Sequence, residues 1–181
     1  MSLVGFKAKN HPQQRTDDDV DDRATTAEMF GPLDRRFGFT VDVAAAAHNT
    51  KCPRFYDLAA NGLEQDWDNE VVWCNPPYSN LEPWLDKAWR SAATVVMLLP
   101  ANRCEQPWWQ TFVEPYRDRG LGLTVEFLPG RPRFIKPGDS NVKPNARPPF
   151  GCCLLIWEGH QPGSRDTQGT LDLAGRQVDE Q

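Results

Sequence analysis

The residues best suited to take part in a chemical reaction are Asn75-Pro76-Pro77-Tyr78, which follow the apolar residues 71–74. The β-branched and aromatic residues of 71–74 are typical of a buried strand. Two consecutive prolines have a fixed φ and no amide hydrogen, so the chain leaves the strand in an extended form. A converging amide oxygen and carbonyl can accept hydrogen bonds from an NH2 group, and a ring can stack on a heterocycle. The motif therefore predicts a site for the exocyclic amine of a base, with a plain strand-ending turn as the alternative.

The residues around this motif resemble a known family. Asn-Pro-Pro-Tyr is similar to the catalytic motif of amino-group methyltransferases that use S-adenosylmethionine. Residues 72–80, followed by Pro83-Trp84, resemble more specifically the phage-type DNA N6-adenine methyltransferases, the phage Dam-like family. The likeness extends over residues 24–157 through the strings at 42–56, 62–67, 128–134 and 149–151. It implies a Rossmann-like class I methyltransferase fold with a mostly parallel central sheet, S-adenosylmethionine as cofactor and DNA as partner.

The resemblance implies that the catalytic residues are Asn75, Pro76, Pro77 and Tyr78. The adenine must be flipped out of the duplex before its N6 can be reached. The Asn75 side-chain oxygen and the Pro76 carbonyl are then expected to accept hydrogen bonds from the N6 amino group, while Tyr78 stacks on the base.

A second set of residues is expected to hold S-adenosylmethionine. A short strand at residues 39–43 contains Asp42, and ligands of doubly wound folds lie at the carboxyl ends of strands. A carboxylate there can accept hydrogen bonds from a ribose or an ammonium group, and the following alanines let the backbone approach a ligand. In the family a Thr-Pro pair contacts the cofactor. Here Thr25 matches and Thr26 replaces the proline, so a plain helix cap is the alternative for Thr25. The implied cofactor residues are Thr25, Asp42, Ala44, Asn49, Asp66 and Asn75.

A basic segment follows the motif in the chain. Residues 131–147 contain five basic side chains and one acid, together with three prolines and one glycine. Long loops in compact domains are usually functional or disordered, and basic side chains are typical phosphate contacts. Phe150 is expected to form a wall for a flipped base. The residues expected to face DNA or the base are Ser79, Arg103, Arg131, Arg133, Lys136, Lys143, Arg147 and Phe150.

The remaining patterns predict one α/β domain of 181 residues. At least five strands alternate with helices, and the first helix is capped by Thr25 or Thr26 and ends at Gly38. We expect residues 1–22, which include an acidic run at 17–22, to be a disordered or loosely packed tail. Residues 23–158 are the predicted methyltransferase domain, and residues 159–181 a polar C-terminal tail.

Composition limits the other classes of function. No apolar run is long enough to span a membrane, and no signal-peptide core is present, so a cytoplasmic protein is expected. The resemblance to the phage-type family implies a bacterial host cell and a phage or prophage origin. The five cysteines show no Cys-x-x-Cys spacing and the three histidines are scattered, so no metal site is expected. The net charge of −5 argues against a protein that coats DNA but allows a local basic surface.

Several alternatives stay open at this point. The same motif serves enzymes that methylate N4 of cytosine or a glutamine amide of a protein. A DNA-binding descendant without catalysis and a small-molecule binder of similar fold are further possibilities. The target sequence, the preference for duplex or single strand, the oligomeric state and the biological role do not follow from these residues.

Overall fold

The computed structural model describes residues 20–136, 138–139 and 150–162. Lys143 and Arg147, both predicted to face DNA, lie outside the described residues. Within these ranges the strands are β1 (Ala24–Thr25), β2 (Val41–Asp42), β3 (Val71–Cys74), β4 (Thr94–Pro100), β5 (Leu123–Phe127), β6 (Phe134–Ile135) and β7 (Cys152–Trp157). The helices are α1 (Ala27–Phe37), α2 (Glu82–Arg90) and α3 (Pro107–Phe112), and a 3-10 turn spans Val20–Asp22.

Five of the described strands form one sheet in the order β2-β3-β4-β7-β5. β2, β3 and β4 pair in parallel, whereas β7 is antiparallel to both β4 and β5. The predicted α/β class is confirmed. The sheet is mixed, however: two of its four pairings are parallel, although only β7 runs against the other four strands. The direction of β7 could not be read from its sequence, because a strand that is apolar on both faces looks the same in either orientation.

The sheet is buried between two layers. Along β4, Val95, Met97 and Leu99 pack into one cluster with α2 and α3, while Val96 and Leu98 pack into the other with Phe30 of α1. This alternation follows from the two-residue period of a strand, with an apolar residue on each face. Helices on both sides of the sheet thus explain why residues 95–99 are all apolar.

The first helix begins and ends at residues whose types predict it. Thr26 is the N-cap of α1, and its hydroxyl accepts a hydrogen bond from the Met29 amide at 3.3 Å. Gly38 ends the helix in a left-handed conformation with a φ of 70°. The cap is therefore Thr26, which leaves the neighbouring Thr25 hydroxyl without that role.

Two short strands lie outside the main sheet. Thr25 of β1 pairs with Phe134 of β6, and Ala24 pairs with Ile135, in an antiparallel ladder. The pairing brings the start of the basic segment, predicted as a loop, next to the start of α1. Strands of two residues carry too few positions to show a period in the sequence.

Four of the sheet's strands end on the same side. β2, β3, β4 and β5 share one direction, and the antiparallel β7 begins where β4 and β5 finish, since Cys152 pairs with Pro100 and Cys153 with Phe127. We call this side, with the loops that follow these four strands and precede β7, the carboxyl edge.

The structure also bears on the C-terminal tail. His160 is buried, its ring lies 5.9 Å from the Trp89 ring, and its Nε2 is 3.2 Å from the Ala88 carbonyl. The residue packs so closely that a Cβ on Gly122 would approach the His160 Cβ to 2.5 Å. His160 is therefore part of the core, beyond the predicted end of the domain at residue 158. Within the described residues, none of the helices is long and apolar enough to cross a membrane.

Candidate active site

The Asn-Pro-Pro-Tyr motif leaves β3 at the carboxyl edge, and its asparagine side chain makes two hydrogen bonds with other described residues. Asn75 Nδ2 donates a long hydrogen bond of 3.4 Å to the Arg23 carbonyl. Asn75 Oδ1 accepts one of 3.2 Å from the Tyr78 hydroxyl. The amide is therefore oriented with its nitrogen toward the N-terminal segment and its oxygen toward the tyrosine. Among the other motif residues Pro76 is buried, and Ser79, which follows the motif, is exposed.

Tyr78 is partly buried and packs beside Phe150. The two ring centroids are 6.2 Å apart in an edge-to-face arrangement. Burial raises the pKa of the Tyr78 hydroxyl well above its usual range, with smaller contributions from the thiols of Cys152 and Cys153. A tyrosine hydroxyl is protonated at neutral pH even without this shift, so it is a donor toward Asn75. Phe150, predicted as a wall for the base, does lie against the motif, although 72 residues separate the two in the chain.

Asp42 ends β2, the strand next to β3, and is 3% exposed. Its Oδ2 accepts a hydrogen bond of 2.9 Å from the Lys51 amide, whereas its Oδ1 has no partner among the described residues. Burial raises the pKa of Asp42 to about 6, against the opposing effects of the Lys51 and Ala44 amides and of the Lys51 charge. A buried carboxylate oxygen without a donor is costly, and it fits a ligand that brings one.

Thr25 presents a second buried oxygen of this kind. The side chain is 2% exposed, and its Oγ1 has no hydrogen-bond partner within the described chain. Thr25 is also two residues from Arg23, whose carbonyl contacts Asn75. The two unpaired oxygens, of Thr25 and Asp42, are suited to a polar ligand with hydroxyl or ammonium groups.

The short segment Asp21-Asp22-Arg23 connects the loops of the carboxyl edge. The Asp21 carboxylate accepts a hydrogen bond of 2.8 Å from the Tyr78 amide. The Asp22 carboxylate accepts one of 2.8 Å from Asn49 Nδ2 and lies 3.0 Å from His48 Nε2. Asp21 and Asp22 thus depart from the prediction of a solvated tail. No sequence signal marked them, because an acidic run has the same composition whether it is solvated or paired.

Asn49 and Ala44 lie in the loop that follows β2. Asn49 Oδ1 accepts a hydrogen bond of 2.7 Å from the Ala46 amide, so both ends of this side chain have protein partners. Ala44 is partly buried against the core. The loop lies beside Asp42, and its role toward the cofactor stays a prediction.

Asp66 is the predicted cofactor residue in the segment before β3, and its role toward the cofactor stays a prediction. Asp66 is exposed, and its Oδ1 accepts a hydrogen bond of 2.9 Å from the Asp68 amide. Asp68 in turn accepts one from the Ala92 amide, just before β4 and at the opposite end of the strands. The neighbouring Trp67 is a core residue whose Nε1 donates to the Gly62 carbonyl at 2.8 Å.

The predicted DNA-facing cations in the described part of the chain are distributed over the same edge. Arg103 follows β4, Arg131 and Arg133 follow β5, and all three are exposed. Lys136 directly follows β6 and is partly buried. The loop after β5 touches the one before β7, since a Cβ on Gly151 would lie 3.6 Å from the Gly130 carbonyl. Across the residues that can be described, no three His, Cys, Asp or Glu side chains are grouped to hold a metal ion.

Comparison with known proteins bears on this arrangement. The family model described as DNA N-6-adenine-methyltransferase (Dam) matches residues 13–165. A DNA N-6-adenine-methyltransferase of Escherichia phage T1 is 37% identical over 84 residues, which are 44% of this chain and 35% of that protein. A DNA N-6-adenine-methyltransferase of Haemophilus phage HP1 (strain HP1c1) is 42% identical over 65 residues, which are 34% of this chain and 38% of that protein. The matched region thus spans little more than a third of each relative. Since the family model covers most of the 181 residues, the chain belongs to the DNA N-6-adenine-methyltransferase (Dam) family.

Proposed function

We propose that this chain transfers the methyl group of S-adenosylmethionine to N6 of a flipped-out adenine in DNA. The observation that carries the proposal is the Asn75 side chain, whose oxygen faces the motif's tyrosine at the end of a central strand. The name shared by the two phage relatives supports N6 of adenine over N4 of cytosine and over a protein amide. We also propose that the mixed sheet is the core of a Rossmann-like class I methyltransferase fold.

The motif acts by orienting the base. Asn75 Oδ1 and the Pro76 carbonyl accept hydrogen bonds from the N6 amino group, which draws the nitrogen lone pair out of conjugation with the ring. Tyr78 and Phe150 hold the base by stacking. The Tyr78 hydroxyl gives up its bond to Asn75 when the amino group arrives. The protein thereby fixes one reactant in the geometry of attack, which supplies much of the acceleration.

The unpaired oxygens of Asp42 and Thr25 are the proposed contacts to the cofactor. When bound, S-adenosylmethionine supplies an electrophilic methyl group, and no metal is needed. Asp42 Oδ1 accepts hydrogen bonds from its hydroxyl or ammonium groups, and Thr25 Oγ1 adds a second polar contact. Asn49 supports this half of the site by closing the turn after β2. Asp66, which is exposed, is proposed as a further contact to the cofactor.

The exposed cations of the carboxyl edge are the proposed contacts to DNA. Arg103, Arg131 and Arg133 lie on loops at the same edge as Asn75, so phosphate contacts there would present a base to the motif. Because both relatives come from bacteriophages, we propose that the chain acts on DNA in the cytoplasm of a bacterial host.

The decisive experiment measures methyl transfer from labelled S-adenosylmethionine to unmethylated DNA, with nucleoside analysis of the product. Asn75→Ala is the control, with thermal unfolding measured to verify that the variant is folded. N6-methyladenine that disappears in the variant is the expected result. N4-methylcytosine would change the base and keep the mechanism. No product with the cofactor bound would redirect the search to protein substrates, and no product without cofactor binding would leave a chain that has lost the chemistry.

A further inference from the structure

We propose that Asp21 is a positioning residue for the catalytic motif, an inference that rests on the function proposed above. Its carboxylate accepts the hydrogen bond from the Tyr78 amide at 2.8 Å, across 57 residues of chain. It holds the backbone of the tyrosine in place while the base is bound and methylated.

The motif depends on an outside contact at this point because of its own composition. Pro76 and Pro77 have no amide hydrogen, so Tyr78 provides the first N–H after Asn75. That N–H is directed to a carboxylate, and hydrogen bonds to charged acceptors are stronger than those between neutral groups. The direction of the Tyr78 side chain follows from the backbone that Asp21 holds.

The same segment also holds the other functional end of the motif. The Arg23 carbonyl accepts the hydrogen bond from Asn75 Nδ2, which leaves Oδ1 as the end of the amide that faces Tyr78. Asp22, between them, is anchored to Asn49 and His48 in the loop after β2. Three consecutive residues therefore fix the asparagine, the tyrosine and the neighbouring loop relative to each other.

This geometry separates the effect of Asp21 from that of the cofactor residues. Asp21 contacts the motif, whereas the unpaired oxygens proposed for the cofactor belong to Thr25 and Asp42. Loss of the Asp21 carboxylate should therefore reduce the rate of the chemical step and leave the affinity for S-adenosylmethionine unchanged. A displacement of about 1 Å in a positioned group can reduce the rate about a hundredfold.

The test compares Asp21→Ala, Asp21→Asn and Asp68→Ala in the full chain. Asp68 is the matched control, since its carboxylate accepts a backbone hydrogen bond of 2.7 Å from Ala92 at the opposite end of the strands. We expect Asp21→Ala to lower kcat about tenfold to a hundredfold, with the Kd for S-adenosylmethionine within about twofold of the wild type. Asp21→Asn retains a neutral acceptor oxygen and should recover part of kcat. Asp68→Ala should keep the wild-type kcat.

Amide hydrogen exchange provides a readout that needs no activity. The peptide that covers residues 75–80 contains few exchangeable amide hydrogens, because its two prolines have none. Among them, the Tyr78 amide hydrogen should exchange faster in Asp21→Ala than in the wild type. The proposal is overturned if Asp21→Ala keeps the wild-type kcat, if Asp21→Asn is as slow as Asp21→Ala, or if cofactor affinity falls together with the rate. A wild-type chain that methylates nothing would refute the proposed function, while unchanged exchange at Tyr78 would refute the contact itself.

Discussion

The buried carboxylate of Asp42 makes the stability of this protein depend on pH in an unusual direction. Burial raises its pKa from the ordinary 3.8 to about 6. Between these two values the folded state binds more protons than the unfolded state, so the free energy of unfolding falls as pH rises. The contribution of Asp42 to the free energy of unfolding is therefore fully present below pH 3.8 and is lost once the pH has risen past about 6.

The magnitude follows from the size of the shift. A difference of about two pKa units corresponds to about 3 kcal/mol, of which about 2 to 3 kcal/mol falls between pH 4 and pH 7.5. Asp42→Asn has a similar shape and cannot ionise. The free energy of unfolding of Asp42→Asn, minus that of the wild type, should therefore increase by about 2 to 3 kcal/mol over this interval.

Chemical denaturation at the two pH values measures this difference, and the other ionisable groups cancel between variant and wild type. Asp57→Asn is a matched control, because Asp57 is exposed and its carboxylate also accepts a backbone hydrogen bond, from Ala60 at 2.8 Å. A difference for Asp42→Asn that stays constant with pH would refute the claim that Asp42 is a desolvated carboxylate.

The same group should make cofactor binding depend on pH. If only the ionised Asp42 accepts the cofactor's donors, a pKa of about 6 predicts that affinity for S-adenosylmethionine is about fourfold lower at pH 5.5 than at pH 7.5. Calorimetry should show this dependence in the wild type and a weaker, pH-independent affinity in Asp42→Asn. A wild-type affinity that does not change over this range would contradict the assignment of Asp42 to the cofactor.

Three further predictions follow from individual contacts. Tyr78→Phe keeps the ring but removes the hydroxyl that is bonded to Asn75 and must be displaced by the base. Steady-state kinetics should therefore show an equal or lower KM for DNA, whereas a tenfold loss of kcat would show that the hydroxyl takes part in the chemistry. Gly62→Ala places a Cβ 2.0 Å from the Val43 carbonyl and should lower the free energy of unfolding by about 2 kcal/mol, whereas Gly31→Ala, in a helix with its nearest contact at 3.6 Å, should not. Thr25→Val should weaken S-adenosylmethionine binding in calorimetry without loss of stability, because its hydroxyl has no partner in the described chain; unchanged binding would exclude Thr25 from the cofactor site.

Local patterns determined much of the fold. The β-branched and aromatic residues before Asn75 predicted β3, and threonine and glycine predicted the two ends of α1. These signals are readable because they arise from the steric and hydrogen-bonding preferences of neighbouring residues. The same locality explains why the motif itself was recognised, since two prolines between an asparagine and a tyrosine restrict the backbone in any protein.

Tertiary structure decided what no neighbouring residues encode. The antiparallel direction of β7, the contact between Tyr78 and Phe150, and the hydrogen bond from Tyr78 to Asp21 all join distant parts of the chain. The acidic run looked solvated, because pairing with a distant part of the chain has no local signature. The raised pKa of Asp42 belongs to the same class: its cause is desolvation, which exists only once the strands and loops around it have packed.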